Sequence, residues 1–190
     1  MCGRYQLAPE ESDEILEIIR QVEGRVKTGE IYPTNVVPVL LEATGELAPR
    51  PAVWGFPRFP GKSGNIINAR SETVLERPMF RKSMMERRCV VPTTGFFEWG
   101  PGADGKKRKY RFRLPGQSAL YLAGVWNDYG GERRCVILTS KANASMKEIH
   151  DRMPVVLDKE TLVSWVEDTD FAVNLLERVS PELAREQSGA

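Results

Sequence analysis

Near the start of the chain, Ile15, Ile18, Ile19 and Val22 recur three or four residues apart, which predicts a helix over residues 9–22 with one apolar face. Pro9 suits its first turn, Glu10 and Glu11 suit the positive end of its dipole, and Gly24 is its stop. Beyond it the period shortens to two. Tyr32–Asn35 reads as a turn, and Val36–Leu41 as a strand whose Pro38 predicts an edge position or a bulge. Gly45 turns the chain into a return strand, Leu47–Trp54, and Arg58–Gly64 reads as a loop. Ile66-Ile67 runs straight into the polar cluster Asn68–Thr73, the pattern of a strand end delivering side chains to a site. Residues 80–88 predict a short amphipathic helix, with Phe80, Met84 and Met85 on one side and Arg81, Lys82, Arg87 and Arg88 on the other.

The second half reads mainly as strands. Cys89–Pro92 is apolar, Thr93-Thr94-Gly95 turns, and Phe96–Trp99 follows. Arg108–Arg113 alternates aromatic and basic residues, and Leu120–Trp126 and Arg134–Thr139 flank a hairpin turn at 127–131. Ala144–Ile149 predicts a short helix and Val155–Leu157 a final strand. Two helices follow, one from Asp158 as a cap to about Val166 and one over Asp170–Leu176, with a loose tail from Val179.

Composition narrows the class. A chain of 190 residues, 41% hydrophobic and 28% charged, suits one globular domain. No apolar run approaches the roughly 18 residues of a membrane span, and the early acids Glu10, Glu11, Asp13 and Glu14 do not suit a signal peptide. Cys2, Cys89 and Cys135 are far apart and lack zinc-ligand spacing, so the expectation is a cytoplasmic protein with no metal and no cofactor. The net charge of +1 is unevenly spread: residues 62–113 carry 13 Lys/Arg against 5 Asp/Glu, a balance of +8, and the rest carry 14 against 21, or −7. Such a block suits either a polyanion site or a solvated face of a β-rich region.

Three residues offer chemistry. Without Met1, Cys2 would carry an α-amine and a thiol on adjacent carbons, both partly deprotonated near neutral pH. A 1,2-aminothiol converts an aldehyde to an imine and closes a thiazolidine ring; the thiol alone attacks acyl carbons. The other reading of Cys2 is an idle residue near a frayed end. Glu98, one carboxylate among Phe96, Phe97 and Trp99, is either a general acid/base raised by an apolar setting or an outward strand residue. His150, the single histidine, stands beside Asp151 and Arg152 at a helix end before a proline, with a structural and a catalytic reading both open. Phe59 in the 58–64 loop is a candidate stacking side chain, or one folded back on the core.

Taken together and in order, Met1-Cys2-Gly3-Arg4, Asn68-Ala69-Arg70-Ser71-Glu72-Thr73, Val91–Trp99 and His150–Leu157 resemble the SOS response-associated peptidase (SRAP) family, the abasic-site processing proteins. The resemblance runs from Cys2 to about Leu157. It implies an α+β fold, a single domain over residues 1–180 with a barrel-like, mainly antiparallel sheet core flanked by short helices, and a tail over 181–190. It implies a monomer that binds abasic sites in single-stranded DNA or at single/double-strand junctions, away from any membrane. Cys2 would form a thiazolidine cross-link with the ring-opened sugar after removal of Met1, with lyase and self-cleaving peptidase activity alongside. Asn68 would hold the Cys2 amine, and Glu98 and His150 would serve as acid/base groups. Gly3, Arg4, Pro33, Trp54, Phe59, Arg70, Phe80, Arg81, Thr139 and Arg152 would line the DNA groove. Many members carry tryptophan in the loop where this chain has Phe59. Two alternatives remain at this point: a cysteine hydrolase acting on peptides through Cys2, His150 and Asn68, and a non-catalytic single-stranded nucleic-acid binding module.

Overall fold

The computed structural model describes residues 3–22, 24–58 and 63–188. The chain opens with β1 (Tyr5–Leu7), a 3-10 turn at Pro9–Glu11 and α1 (Asp13–Arg20). The expected helix over 9–22 is therefore split. Ser12 is extended and its hydroxyl accepts from the Ile15 N–H, so the α-helix starts afresh from a serine cap while Pro9 opens its own short turn. Next come β2 (Gly29–Ile31), β3 (Val36–Ala43), β4 (Glu46–Trp54), β5 (Phe56–Pro57), β6 (Asn65–Ile66), β7 (Asn68–Arg70) and α2 (Pro78–Glu86). The long strands follow: β8 (Arg88–Thr93), β9 (Gly95–Pro101), β10 (Lys107–Arg113), β11 (Leu120–Tyr129) and β12 (Glu132–Lys141). The chain ends with β13 (Arg152–Pro154), β14 (Val156–Leu157), α3 (Leu162–Glu167), α4 (Thr169–Leu175) and β15 (Ala184–Gln187).

Strands β12, β4, β3, β8 and β11 pair in that order, and β11 pairs back onto β12, closing a five-strand barrel. All its pairings are antiparallel except that of β12 with β4. The fold is the expected single-domain α+β architecture. Its tight turns have the residues they need: Thr44-Gly45 joins β3 to β4 and Gly130-Gly131 joins β11 to β12, all four with positive φ. Prolines shape the barrel. Pro38 is opposite Pro51, and Leu40 is opposite Pro49. These are the ladder positions that exchange no hydrogen bonds within the pair, so each ring points its missing N–H at the other neighbour. Accordingly β4 meets β12 only at Val53 and Trp54, and β3 meets β8 only at Leu40. Pro38 was expected at an edge; it lies in an interior strand, at a place where that ladder is interrupted.

A second sheet runs β15-β10-β9-β1-β2. It joins the barrel at Thr93–Gly95, where Gly95 has φ +155 and a Cβ would lie 2.9 Å from the Phe112 carbonyl oxygen, so only glycine fits. β8 is buried at every position, and the helices cover its outer side: the Trp165 indole donates to the Cys89 carbonyl at 2.9 Å. Arg88, expected on the basic face of the α2 segment, is buried instead. Its guanidinium donates to the carbonyls of Met84 and Met85 at the end of α2 and of Trp165 and Val166 at the end of α3, binding both helix C-termini at once. Met85, expected with Phe80 and Met84 on the apolar side, is exposed.

Three further expectations are corrected. Residues 144–149 form successive turns rather than a helix. The Asp158 side chain does not cap; its 3-10 turn precedes α3, while the Asp168 carboxylate caps α4 by accepting from Phe171 N–H at 2.9 Å. The stretch expected as a loose tail contains β15, which pairs with the open edge of β10 from Tyr110↔Gln187 to Arg113↔Ala184. Among the described residues no helix is long and apolar enough to cross a membrane.

Candidate functional site

The described chain begins at Gly3, and its first residues lie along β9. Tyr5 is opposite Phe96, and the Arg4 carbonyl accepts from the Phe97 N–H at 2.9 Å. This brings the Gly3–Arg4 end beside the segment that carries Glu98. The Arg4 guanidinium stacks 4.1 Å from the Tyr32 ring centre and 4.9 Å from that of Trp99, and donates to Glu30 at 3.1 Å. Glu30 is gripped from the other side by the Lys109 ammonium, at 2.8 and 2.9 Å from its two oxygens. Burial opposes ionisation of Glu30, but the Lys109 and Arg4 cations outweigh it and hold the carboxyl below its ordinary range.

Asn68 opens β7 and is buried. The carbonyl of the preceding Ile67 accepts from the Trp54 indole at 3.0 Å and from the Ile137 N–H at 3.1 Å. The Trp54 ring packs 5.1 Å from Tyr5, so one aromatic pair connects the N-terminal strand to the backbone that presents Asn68. Arg70, two residues further along the same face of β7, is exposed.

Glu98 is 5% exposed, which removes the reading of an outward strand residue. It shares a strand face with Gly100. A Cβ at Gly100 would fall 2.9 Å from two side-chain atoms of Ile149 and 3.0 Å from its Cα, so the absence of a side chain lets the 144–149 turns rest against β9. That contact brings His150 to the same end of the sheet as Glu98. His150 Nδ1 accepts from the Arg152 N–H at 2.9 Å, which leaves the proton of the neutral ring on Nε2. The exposed Asp151 carboxylate, 2.9 Å from the same nitrogen, competes for it and suits the protonated ring.

Three of the expected groove residues lie inside the protein. Trp54 and Thr139 are fully buried, and the Thr139 hydroxyl donates to the Ala69 carbonyl at 3.5 Å. Arg152 is 7% exposed; its two terminal nitrogens bond Glu72 at 2.6 and 2.8 Å, and one also donates to the Thr139 carbonyl at 2.6 Å. A guanidinium committed in this way has no fork to offer a phosphate. Pro33 is half-buried in the 32–35 turn, Phe80 is half-buried with its ring 6.0 Å from Phe56, and Arg81 is exposed on α2. Cys2 and Phe59 lie outside the described residues. Cys89 and Cys135 are both fully buried; burial pushes the Cys135 thiol up to about 12 and the Cys89 thiol well above its ordinary range. Neither is a nucleophile at neutral pH. Glu30, Tyr32, Lys109 and Glu72 are the residues that sequence reading missed. A cavity of about 620 Å³ between the β3–β4 hairpin, α2 and α3 is lined by none of Asn68, Glu98 and His150.

The profile of the SOS response associated peptidase (SRAP) family matches residues 1–187. The chain belongs to the SRAP family. Among its SRAP relatives, the "Abasic site processing protein YoqW" of Bacillus subtilis (strain 168) is 32% identical over 197 residues, covering 93% of this chain and 87% of that one. The "Abasic site processing protein YedK" of Escherichia coli (strain K12) is 27% identical, covering 87% of this chain and 79% of that one. A crystal structure of a protein from Bordetella bronchiseptica superposes over the whole length of both chains with a TM-score of 0.78 at 21% identity, a likeness of fold.

Proposed function

We propose that the chain processes abasic sites in single-stranded DNA by covalent capture, with Cys2 as the nucleophile once Met1 has been removed. The observation that carries this reading is the bond from the Phe97 N–H to the Arg4 carbonyl, which ties the N-terminal end to the strand bearing buried Glu98. The abasic-site processing names of its relatives fit it, and so do the two inert core thiols, which leave Cys2 as the one cysteine suited to attack.

The chemistry follows from the sugar. An abasic deoxyribose is mainly a closed hemiacetal, so capture first needs a proton moved between its ring oxygen and O1′. Glu98 and His150 take those acid–base roles, and Asn68 orients the Cys2 amine. The amine then adds to the C1′ aldehyde and water leaves, giving an imine. The thiol adds to the imine carbon while nitrogen takes up the thiol proton, closing the thiazolidine. Loss of a C2′ proton from the imine, with departure of the 3′ phosphate, is the competing lyase route. Removal of Met1 would use the same groups as a peptidase: the Cys2 thiol adds to the Met1 carbonyl carbon, the Cys2 nitrogen leaves as the free amine and takes up a proton, and water hydrolyses the resulting thioester to release methionine and the thiol. Exposed Arg70 and Arg81, with Gly3, Arg4, Pro33 and Phe80, would meet the DNA, while Trp54, Thr139 and Arg152 support that edge from within. A soluble cytoplasmic monomer suits this role.

Denaturing electrophoresis and native binding on one substrate, single-stranded DNA with a single abasic site, separate this from the alternatives. Cys2→Ala should bind with little change and form no heat-stable adduct. An unchanged adduct yield in Cys2→Ala would overturn covalent capture through this residue. Binding with no adduct from either protein, when Met1 is absent, favours the non-catalytic module.

A further inference from the structure

The carboxylate of Glu72 pairs with the Arg152 side chain, and nothing in the chemistry above uses it. Its two oxygens take both terminal nitrogens of Arg152, and one of those nitrogens also donates to the Thr139 carbonyl on β12. The Arg152 fork draws the Glu72 carboxyl below its ordinary range against the opposing effect of burial, so Glu72 is a carboxylate at neutral pH. Arg152 opens β13, where it is opposite Lys141 of β12. It is also the first buried residue after the 147–151 stretch, whose residues are exposed or half-exposed. Its backbone N–H is the donor to His150 Nδ1. The side chain of residue 152 is thus fixed by an ion pair at the moment its backbone fixes the imidazole.

We propose that Glu72 is a positioning residue for His150: by clamping Arg152 it holds the Arg152 N–H on Nδ1, so the imidazole offers a protonated Nε2 to the site. This gives the acid–base role read above for His150 a defined tautomer, and its relevance to capture rests on that reading. The competing contact cannot supply the same order. Asp151 is 86% exposed, a water-screened partner for Nδ1 that favours the opposite proton placement. Charged groups on neighbouring elements include Lys141 on β12, opposite Arg152, Glu98 on β9, whose Gly100 meets Ile149, and Lys147 and Glu148 in the turns ahead of the ring, Glu148 paired with Arg185 on β15. Nδ1 accepts from the Arg152 N–H at 2.9 Å.

The single histidine makes the test direct, because a ring-nitrogen NMR spectrum of ¹⁵N-histidine-labelled protein has one imidazole to assign. Wild type without DNA should have the Nε2–H tautomer alone for the neutral ring. Glu72→Gln, and independently Arg152→Lys, should populate both tautomers while the protein stays folded. A wild-type ring in the Nδ1–H form overturns the proposal. So does retention of pure Nε2–H in either folded variant. In single-turnover capture assays the variants should lose rate, by less than the roughly 10²–10⁴-fold typical of removing a general acid/base, with the DNA affinity of Glu72→Gln unchanged. A tautomer change in the variants, with no adduct from wild type lacking Met1, would leave the positioning role standing and remove the capture reading instead.

Discussion

A thiol sealed in an apolar wall keeps its proton, because the thiolate would lose its water without gaining a partner. Cys89 and Cys135 are in that condition, one of them pushed up to about 12. Native protein treated with iodoacetamide near pH 7.5 should therefore gain a single label, on Cys2, and three after denaturation, as intact mass will read. Labelling of Cys89 or Cys135 in the native state would contradict the described packing. At this scale Cys2, Asn68, Glu98 and His150 stand out in the sequence as candidates because each sits in a short motif whose neighbours change character abruptly, and the burial of Asn68 and Glu98 is what the fold adds. Glu30 and Glu72 do not stand out. Their partners Lys109 and Arg152 lie 79 and 80 residues away, and an isolated acid in a polar stretch gives no sign of a distant cation. Arg152 misled for the same reason: an arginine in a polar motif reads as a phosphate contact until the fold supplies Glu72.

Strands and turns set where those side chains meet, and glycine and proline govern the fit. Gly100 is the contact point between β9 and the turns ahead of His150. Gly100→Ala places a methyl group against Ile149 backbone as well as side chain, so it should cost about 1–3 kcal/mol, the usual range for overpacking, read as a lower urea midpoint. Pairing it with Ile149→Ala should recover only part, because the 3.0 Å contact to Cα remains. Full stability in Gly100→Ala alone would mean the two segments do not press together. The alternating patterns predicted most strands correctly, since period two survives whatever the strand pairs with. The order of pairing was hidden, and so the interior place of Pro38 was missed. β15 was missed because it is polar and fully exposed in side chain, held by backbone bonds to β10 that leave no apolar trace.

Over the whole molecule, the basic block turns out to be dispersed. Arg88 is buried against helix ends, and Arg108, Lys109, Arg111 and Arg113 are paired with Asp104, Glu30, Glu11 and Glu186. Binding to single-stranded DNA should then depend on salt with a slope of about −2, as for roughly three phosphate contacts, where eight charges acting as one patch would give about −6. A slope near the steeper value would restore the polyanion face. Three ion-paired acids link fold to pH: Glu14, Glu30 and Glu72 are all held below the ordinary value of 4.5. Because their folded values are depressed, the stability they contribute is complete above about pH 4.5 and is lost as pH falls through the depressed values. The melting temperature should be level from neutrality to about pH 5 and decline below it. A Glu72→Gln protein should decline less steeply.

The central claim is capture through an unmasked Cys2, and mass spectrometry of the adduct tests it most directly. After capture of single-stranded abasic DNA, nuclease and trypsin digestion should yield Cys2-Gly3-Arg4 without Met1, heavier by the sugar fragment less one water. Unmodified Cys2-Gly3-Arg4 from a protein that has lost Met1, or a sugar fragment attached to any other residue, would contradict the account.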